Sequence, residues 1–289
     1  MKEIVILSGK GGTGKTSIAG SFAALARNKV LVDCDVDAAD LNLLLQPEIE
    51  KEQEFWCGYT AQIDPEKCTQ CSICQNLCRF NAIKDFCVDS ISCEGCSFCH
   101  HVCPANAITM RENLAGHWYV SRTRYGYLVH ACLDIAQENS GKLVAAVRKE
   151  ARTIATKNNL EMIINDGPPG IGCPVISSLS GSDLALLVTE PTLSGIHDLE
   201  RVMEVCRHFD VPALVCINKF NLNLENTRQI ERFCREQGVE VAARIPYDDV
   251  VTSAMIRGVP VVEFSRGQVS MEIEKLWNLI LEGFESLPE

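Results

Sequence analysis

The stretch Ser8-Gly9-Lys10-Gly11-Gly12-Thr13-Gly14-Lys15-Thr16 decides how the rest of the chain is read. An apolar run, Ile4-Val5-Ile6-Leu7, precedes it, and Ser17-Ile18-Ala19-Gly20-Ser21-Phe22-Ala23-Ala24-Leu25-Ala26 follows. The order is strand, glycine-rich turn, helix, which is the context that a G-x-x-x-x-G-K-[ST] loop needs. A phosphate chain is held by several backbone N–H groups aimed at one point. Gly11, Gly12 and Gly14, with Thr13 between them, let the backbone curl that tightly. The helix N-terminus adds its partial positive charge. In such a loop Lys15 reaches the β- and γ-phosphates, and the Thr16 hydroxyl ligates Mg²⁺.

Working outward, Lys29-Val30-Leu31-Val32-Asp33 reads as a second buried strand that runs into Asp33-Cys34-Asp35-Val36-Asp37. A short helix is expected through Leu41 to Leu45. Pro47 to Glu54 is polar and acidic and reads as a linker. Beyond Arg111, His117-Trp118-Tyr119-Val120 and Tyr127-Leu128-Val129-His130 read as strands around a turn at Arg124-Tyr125-Gly126. A helix is expected from Ser140 to about Lys157, with Leu143, Val144, Val147, Ala151 and Ile154 at helical spacing. Met162-Ile163-Ile164-Asn165-Asp166 is an apolar strand ending in an aspartate, and Leu184 to Val188, Ala213 to Ile217 and Val241 to Ile245 are further short apolar runs. A last, acidic helix spans about Met271 to Leu287. It lacks the basic face of a membrane-binding helix. Strands alternating with helices predict an α/β P-loop NTPase fold with a mostly parallel sheet.

An internal repeat interrupts this pattern. Cys68, Cys71, Cys74 and Cys78 recur as Cys93, Cys96, Cys99 and Cys103, each 25 residues on, and Asn81-Ala82-Ile83 recurs as Asn106-Ala107-Ile108. A structureless loop of this length is implausible, so the expected organisation is an ATPase domain of residues 1–61 and 113–289 with a small folded α+β insert, 62–112. The spacing C-x2-C-x2-C-x3-C suits [4Fe-4S] clusters. In two-cluster ferredoxins the fourth cysteine of each run serves the other cluster. That rule predicts Cys68, Cys71, Cys74 and Cys103 on one cluster and Cys93, Cys96, Cys99 and Cys78 on the second. Cys103-Pro104 fits the bacterial ferredoxin pattern, whereas Cys78-Arg79 has arginine where proline is usual. Structural zinc pairs two C-x2-C units across a longer gap, and two complete runs in register argue against it.

Two carboxylate segments complete the expected nucleotide site. Asp166 opens Asp166-Gly167-Pro168-Pro169-Gly170-Ile171-Gly172-Cys173 and reads as the Mg²⁺-side aspartate of a P-loop enzyme, followed by a glycine-rich switch. An unengaged Gly170 N–H is expected there to detect the γ-phosphate. Asp33, Asp35 and Asp37 lie near Mg²⁺-ATP, with Asp35 favoured for the catalytic role. Asn218, ahead of Lys219 at the end of an apolar strand, is suited to pair with adenine.

Composition bounds these readings. The chain has 289 residues, 46% apolar and 22% charged, with a net charge of −11. It is long enough for a full core, and its acidic balance offers no nucleic-acid surface. No run of about eighteen apolar residues points to a membrane span. The first strand begins so early that no signal peptide is expected. The protein is therefore expected in the cytoplasm, where thiols stay reduced and sixteen cysteines read as metal or redox groups before disulfides.

With these residues assembled, the chain resembles the MinD/ParA/Mrp group of P-loop ATPases, which includes the nitrogenase iron protein. More narrowly it resembles members that carry an inserted ferredoxin domain and a CobQ/CobB/MinD/ParA nucleotide-binding domain. The resemblance rests on Lys10-Gly11-Gly12-Thr13-Gly14-Lys15-Thr16, Asp33-Cys34-Asp35, Asp166-Gly167-Pro168-Pro169-Gly170, Asn218-Lys219 and the double cysteine run. It implies that Lys10 reaches across a face-to-face homodimer to the partner's nucleotide, that ATP closes the dimer and hydrolysis reopens it. It also implies that Asp35 sits in switch I at the catalytic position, that switch II follows Asp166, and that Asn218 binds adenine. Cys173 lies where the iron protein ligates a bridging cluster, and Cys132 is a conceivable second ligand outside any matching motif.

The function expected on these grounds is ATP-gated electron transfer through two [4Fe-4S] clusters to or from a partner protein. An ATP-dependent iron–sulfur or metallocofactor assembly factor is the alternative. A positioning ATPase of the MinD or ParA type is expected less, because the sequence offers no amphipathic membrane tail and leaves the insert idle. An amidating synthase lacks an evident glutaminase part.

Overall fold

The structure, a computed structural model, describes residues 1–134 and 139–286. Leu287, the expected end of the last helix, lies outside them. In chain order the elements are β1 (Lys2–Ser8), α1 (Lys15–Leu25), β2 (Lys29–Asp33), α2 (Leu41–Leu45), β3 (Glu48–Ile63), α3 (Ile73–Leu77), β4 (Ile83–Lys84), β5 (Cys87–Val88), α4 (Phe98–Val102), β6 (Ile108–Thr123) and β7 (Gly126–Leu133). They continue with α5 (Ser140–Lys157), β8 (Met162–Pro169), α6 (Cys173–Leu179), β9 (Leu184–Thr189), α7 (Leu193–His208), β10 (Ala213–Asn218), α8 (Leu224–Glu236), β11 (Glu240–Ile245), α9 (Val250–Ile256), α10 (Val261–Phe264) and α11 (Gln268–Ser286). Two compact units result. One comprises Met1–Glu52, Trp118–Cys132 and the described part of Ser140–Glu289; the other is Gln53–His117 with the described part of Leu133–Asn139.

The main sheet has the order β11-β10-β9-β1-β8-β2-β7-β6-β3. From β11 to β7 every recorded pairing is parallel. β1 shows why its sequence is an unbroken apolar run. Ile4 and Ile6 join a core with Ile18 and Phe22 of α1, Val262 of α10 and Trp277 of α11, while Val5 and Leu7 join another with Val175 of α6, Leu199 of α7 and Ile230 of α8. A parallel strand covered on both faces needs apolar residues at both parities. Phe22 and Trp277 meet at 4.7 Å between ring centroids. Helix α5 buries Leu143, Val144, Val147 and Ala151, the stripe its spacing predicts.

Two segments depart from expectation. The acidic stretch read as a linker is the start of β3, at the edge of the sheet. Residues 48–54 are all exposed, so the strand needs no apolar face there. Two of its charges are paired: Glu50 with Arg122 at 3.3 Å and Lys51 with Glu150 at 3.0 Å, with the Lys51 ammonium 4.6 Å from the Trp118 ring centre. In β8 the strand continues past Asp166 to Pro169, because Ser8 still pairs with Pro169 after an irregularity in register. Gly167 allows that approach: a Cβ there lies 2.7 Å from the Ile6 carbonyl oxygen.

The second unit contains a two-stranded antiparallel sheet, β4 with β5, and the short helices α3 and α4. Ala61, Cys74, Ile83 and Ile108 form its buried centre. Its backbone repeats at the same displacement as its sequence. Gln70 and Gly95 are left-handed at φ 55° and 63°, Ser72 and Ser97 at 60° and 59°, Asn81 and Asn106 at 52° and 48°.

Candidate functional site

The loop between β1 and α1 turns on Gly12 and Gly14, at φ 79° and 95°, and Gly14 is the N-cap of α1. These conformations are open to glycine at no steric cost. Lys15, the first helical residue, is 7% exposed. Register places Asp33 at the end of β2 opposite Asp166 of β8, both buried. Asp33 is engaged by its own loop, accepting from Asp35 N and Leu41 N, each at 3.1 Å. Asp35 is half-buried beside Lys15. The Thr16 hydroxyl lies close enough to Asp166 to favour its ionised form, while Asp166 Oδ1 and Thr13 Oγ1 are buried with no protein partner. Unpartnered buried oxygens are costly. Beside a P-loop they fit the oxygen chemistry of Mg²⁺ and a phosphate chain.

Burial raises all three carboxyls of this cluster. Asp33 stands well above the carboxylate range, from desolvation first and then from the Asp166 charge. Asp166 is raised to about 7 by desolvation, against the lowering pull of Lys15 and Thr16. Asp35 is raised by desolvation and partly offset by Lys15.

The remaining predicted residues are placed as follows. The Gly170 N–H is not unengaged: it donates to the Ser8 carbonyl at 2.9 Å, tying the end of β8 to that of β1. Asn218 Nδ2 donates to the Thr13 carbonyl at 2.7 Å, and its Oδ1 accepts from Lys219 N at 3.0 Å. Lys10 is held within its own chain, 2.6 Å from Glu190 Oε1 and 3.1 Å from Thr192 Oγ1.

Glu190 is the residue that sequence reasoning missed. It follows β9 and bridges Lys10 and Lys219, the latter at 3.2 Å, and Lys219 also donates to the Gly12 carbonyl at 3.0 Å. Its signal was a carboxylate just past the carboxyl end of a parallel strand, where α/β sheets bind ligands. Also unread was a buried ion cluster, in which Glu3 of β1 accepts from Arg148 and Arg152 of α5 and from Asn165 of β8.

In the second unit the cysteines line two cavities. Cys68, Cys71, Cys74 and Cys103 border one of about 10 Å³; Cys74, Cys78, Cys93, Cys96 and Cys99 border another of about 350 Å³. Burial raises the Cys74 and Cys99 thiols above their ordinary value. Cys173 and Cys132 are both exposed, on α6 and β7.

Residues 4–261 match the CobQ/CobB/MinD/ParA nucleotide binding domain. The chain belongs to that family. An uncharacterized protein of Methanocaldococcus jannaschii is 35% identical over 283 residues, 97% of this chain and 96% of that protein. The septum site-determining protein MinD of Bacillus subtilis is 24% identical, covering 99% of this chain and 91% of its own length. Among solved structures, MinD of Pyrococcus horikoshii complexed with Mg-ADP superposes with a TM-score of 0.61 at 20% identity, covering 99% of each chain. The Cyanothece McdA(D38A)–ATP complex gives 0.61 at 17%, covering 100% of this chain and 98% of that one.

These findings overturn the expected function. The CobQ/CobB/MinD/ParA chain is similar over nearly all its length to MinD and McdA proteins, whereas ATP-gated electron transfer finds no support among them. Among the described residues no group of three or more His, Cys, Asp or Glu side chains is placed to hold a metal ion. The cofactor-assembly alternative gives way with it. No described helix is long and apolar enough to cross a membrane.

Proposed function

We propose that this chain is an Mg-ATP-hydrolysing switch of the MinD/ParA type, in which two copies close over nucleotide and hydrolysis separates them. The observation that carries this reading is the pair of unpartnered buried oxygens, Thr13 Oγ1 and Asp166 Oδ1, beside the buried Lys15. Gly11, Gly12, Thr13 and Gly14 cradle the phosphates, Lys15 neutralises them, and Thr16 and Asp166 hold Mg²⁺. Asp35 orients the attacking water. Asn218 turns from Thr13 to adenine, and Lys10 leaves Glu190 for the nucleotide of the partner copy. Bound Mg²⁺ supplies charge neutralisation at the phosphate oxygens. Solved relatives carry Mg-ADP or ATP, and an Aquifex aeolicus MinD is known in complex with MinC, which supports a switch read by a partner protein.

Light scattering of the purified chain tests it. Mg-ATP should give a dimer in the Asp35→Ala variant, Mg-ADP a monomer, and the native chain should turn over ATP. A chain that stays monomeric with ATP, or that neither binds nor hydrolyses it, ends the reading.

The cavities favour an addition. A cubane cluster sets its four thiolates on four irons, so its ligands surround a space and do not converge on one ion. The lining of the two cavities supports Cys68, Cys71, Cys74 and Cys103 on one [4Fe-4S] cluster and Cys78, Cys93, Cys96 and Cys99 on another, within a ferredoxin-like module of residues 62–112.

A further inference from the structure

Helix α5 carries a second stripe besides its buried one. Lys149, Arg152, Thr153, Thr156 and Lys157 recur at helical spacing with no acidic residue among them. They line a groove of about 780 Å³ whose other side is Ile176, Ser177 and Ser180 of α6. With Arg148 the lining holds four cations and no carboxylate, in a chain whose net charge is −11.

The base of the groove is fixed. Arg148, 4% exposed, donates to Glu3 at 2.9 Å and to the Ser180 carbonyl at 2.9 Å. Arg152 donates to the other Glu3 oxygen at 2.8 Å. Glu3 thus answers two guanidinium groups with one negative charge, and a positive charge is left over. Lys149 and Lys157 form no ion pair with a described residue, and Glu150, next to Lys149 in sequence, is taken by Lys51. Other surface cations of this unit are answered, as Lys275 is by Glu272 and Arg244 by Glu231.

We propose that this groove receives an acidic segment of a partner protein. The proposal rests on the reading that a partner protein reads the ATP switch, and it names the chemistry of that partner. From Lys149 to Lys157 the helix advances about 12 Å, the length of about four extended residues. Ile176, 37% exposed, offers an apolar contact among the charges. A short acidic segment keeps its charges within that span. A nucleic-acid duplex or a lipid surface spreads anions beyond it, over the acidic remainder of the chain. Helix α6 starts at Cys173, directly after the segment Asp166–Gly172. The partner's contact therefore falls on the helix that continues from the Mg²⁺-side aspartate.

The test titrates the full chain, without nucleotide, against a fluorescein-labelled peptide rich in glutamate and leucine, and follows anisotropy. Saturable binding is expected at low ionic strength, weakening about fivefold or more as salt approaches the physiological level. Lys149→Glu should weaken it about tenfold, whereas Lys275→Glu, the same change of charge on α11, should shift it by less than about twofold. Lys149 is exposed and outside the nucleotide site, so the variant should melt and hydrolyse ATP like the native chain. Lys157→Glu provides an independent second variant with the same expected loss. A peptide that does not bind, or that binds the Lys149→Glu and Lys275→Glu variants alike, overturns the proposal. Lys149-dependent binding of duplex DNA or phosphatidylglycerol vesicles that is tighter than binding of the peptide also overturns it. ATP turnover, measured on the same samples, tests the switch separately. Peptide binding without turnover keeps the groove and ends the switch reading; turnover without peptide binding does the reverse.

Discussion

Lys10 Nζ and Glu190 Oε1 lie 2.6 Å apart, and the same carboxylate receives Lys219 from the other side. Burial alone would raise Glu190; the hydrogen bonds from the two lysines outweigh it and hold the carboxyl below its ordinary range. If Lys10 reaches a partner's nucleotide, as proposed above, this ion pair must first break. The pair is partly exposed, which limits its worth to about 0.2–1 kcal/mol. Glu190→Gln should lower the ATP concentration for half-maximal dimerisation by up to about fivefold. Light scattering across an ATP titration measures it.

Lys10 and Lys15 should separate cleanly by substitution. Lys15→Ala removes the buried cation proposed to meet the phosphates and should weaken ATP binding by about a hundredfold or more. Lys10→Ala should leave binding by the single chain near native while abolishing ATP-dependent dimerisation. Calorimetry of nucleotide binding beside light scattering distinguishes the two.

The pH dependence follows from Asp166. Its folded pKa, about 7, lies above the unfolded value of 3.8. A raised pKa means that the folded state holds the proton more tightly. The stabilisation is complete below about pH 4 and is lost as pH rises through about 7. Asp166→Asn should flatten the fall in Tm across that window in the nucleotide-free protein. Mg-ATP affinity should move oppositely, rising through about pH 7 as the carboxyl ionises to meet the metal. Melting curves and binding isotherms of both proteins across the range are the measurements.

Gly95 and Gly238 offer a matched pair. Both are left-handed, at φ 63° and 67°, but a Cβ at Gly95 meets the Tyr59 carbonyl oxygen at 2.4 Å, whereas at Gly238 it meets nothing within 4 Å. Gly238→Ala should cost about 1 kcal/mol, the conformational penalty alone. Gly95→Ala should cost about 2–4 kcal/mol, since backbone must also move. Denaturant unfolding of both variants compares them.

What the sequence made legible was whatever a local rule could carry. The P-loop announced itself because strand, glycines and helix must be contiguous, and the buried strands because a doubly covered strand is apolar at every position. The start of β3 stayed hidden because an exposed, charged edge strand has the composition of a linker. Glu190 was missed because its partners, Lys10 and Lys219, are distant in sequence. The hydrogen bond from the Gly170 N–H was not legible for a related reason: whether an N–H is engaged depends on register, here with Ser8. The cysteine spacing was legible at once, but the side chains that line the space beside each set were not, because they depend on how the segment folds.

The charged start of β3 also bears on how the molecule behaves in a crowd. An edge strand presents a ladder of unsatisfied amides and carbonyls, an invitation for another sheet to add itself. Here the invitation is withdrawn by Glu48, Glu50, Lys51, Glu52 and Glu54, all exposed along the strand. A second copy sliding edge to edge would bring acidic side chains against acidic side chains. Aggregation through the sheet is thereby discouraged.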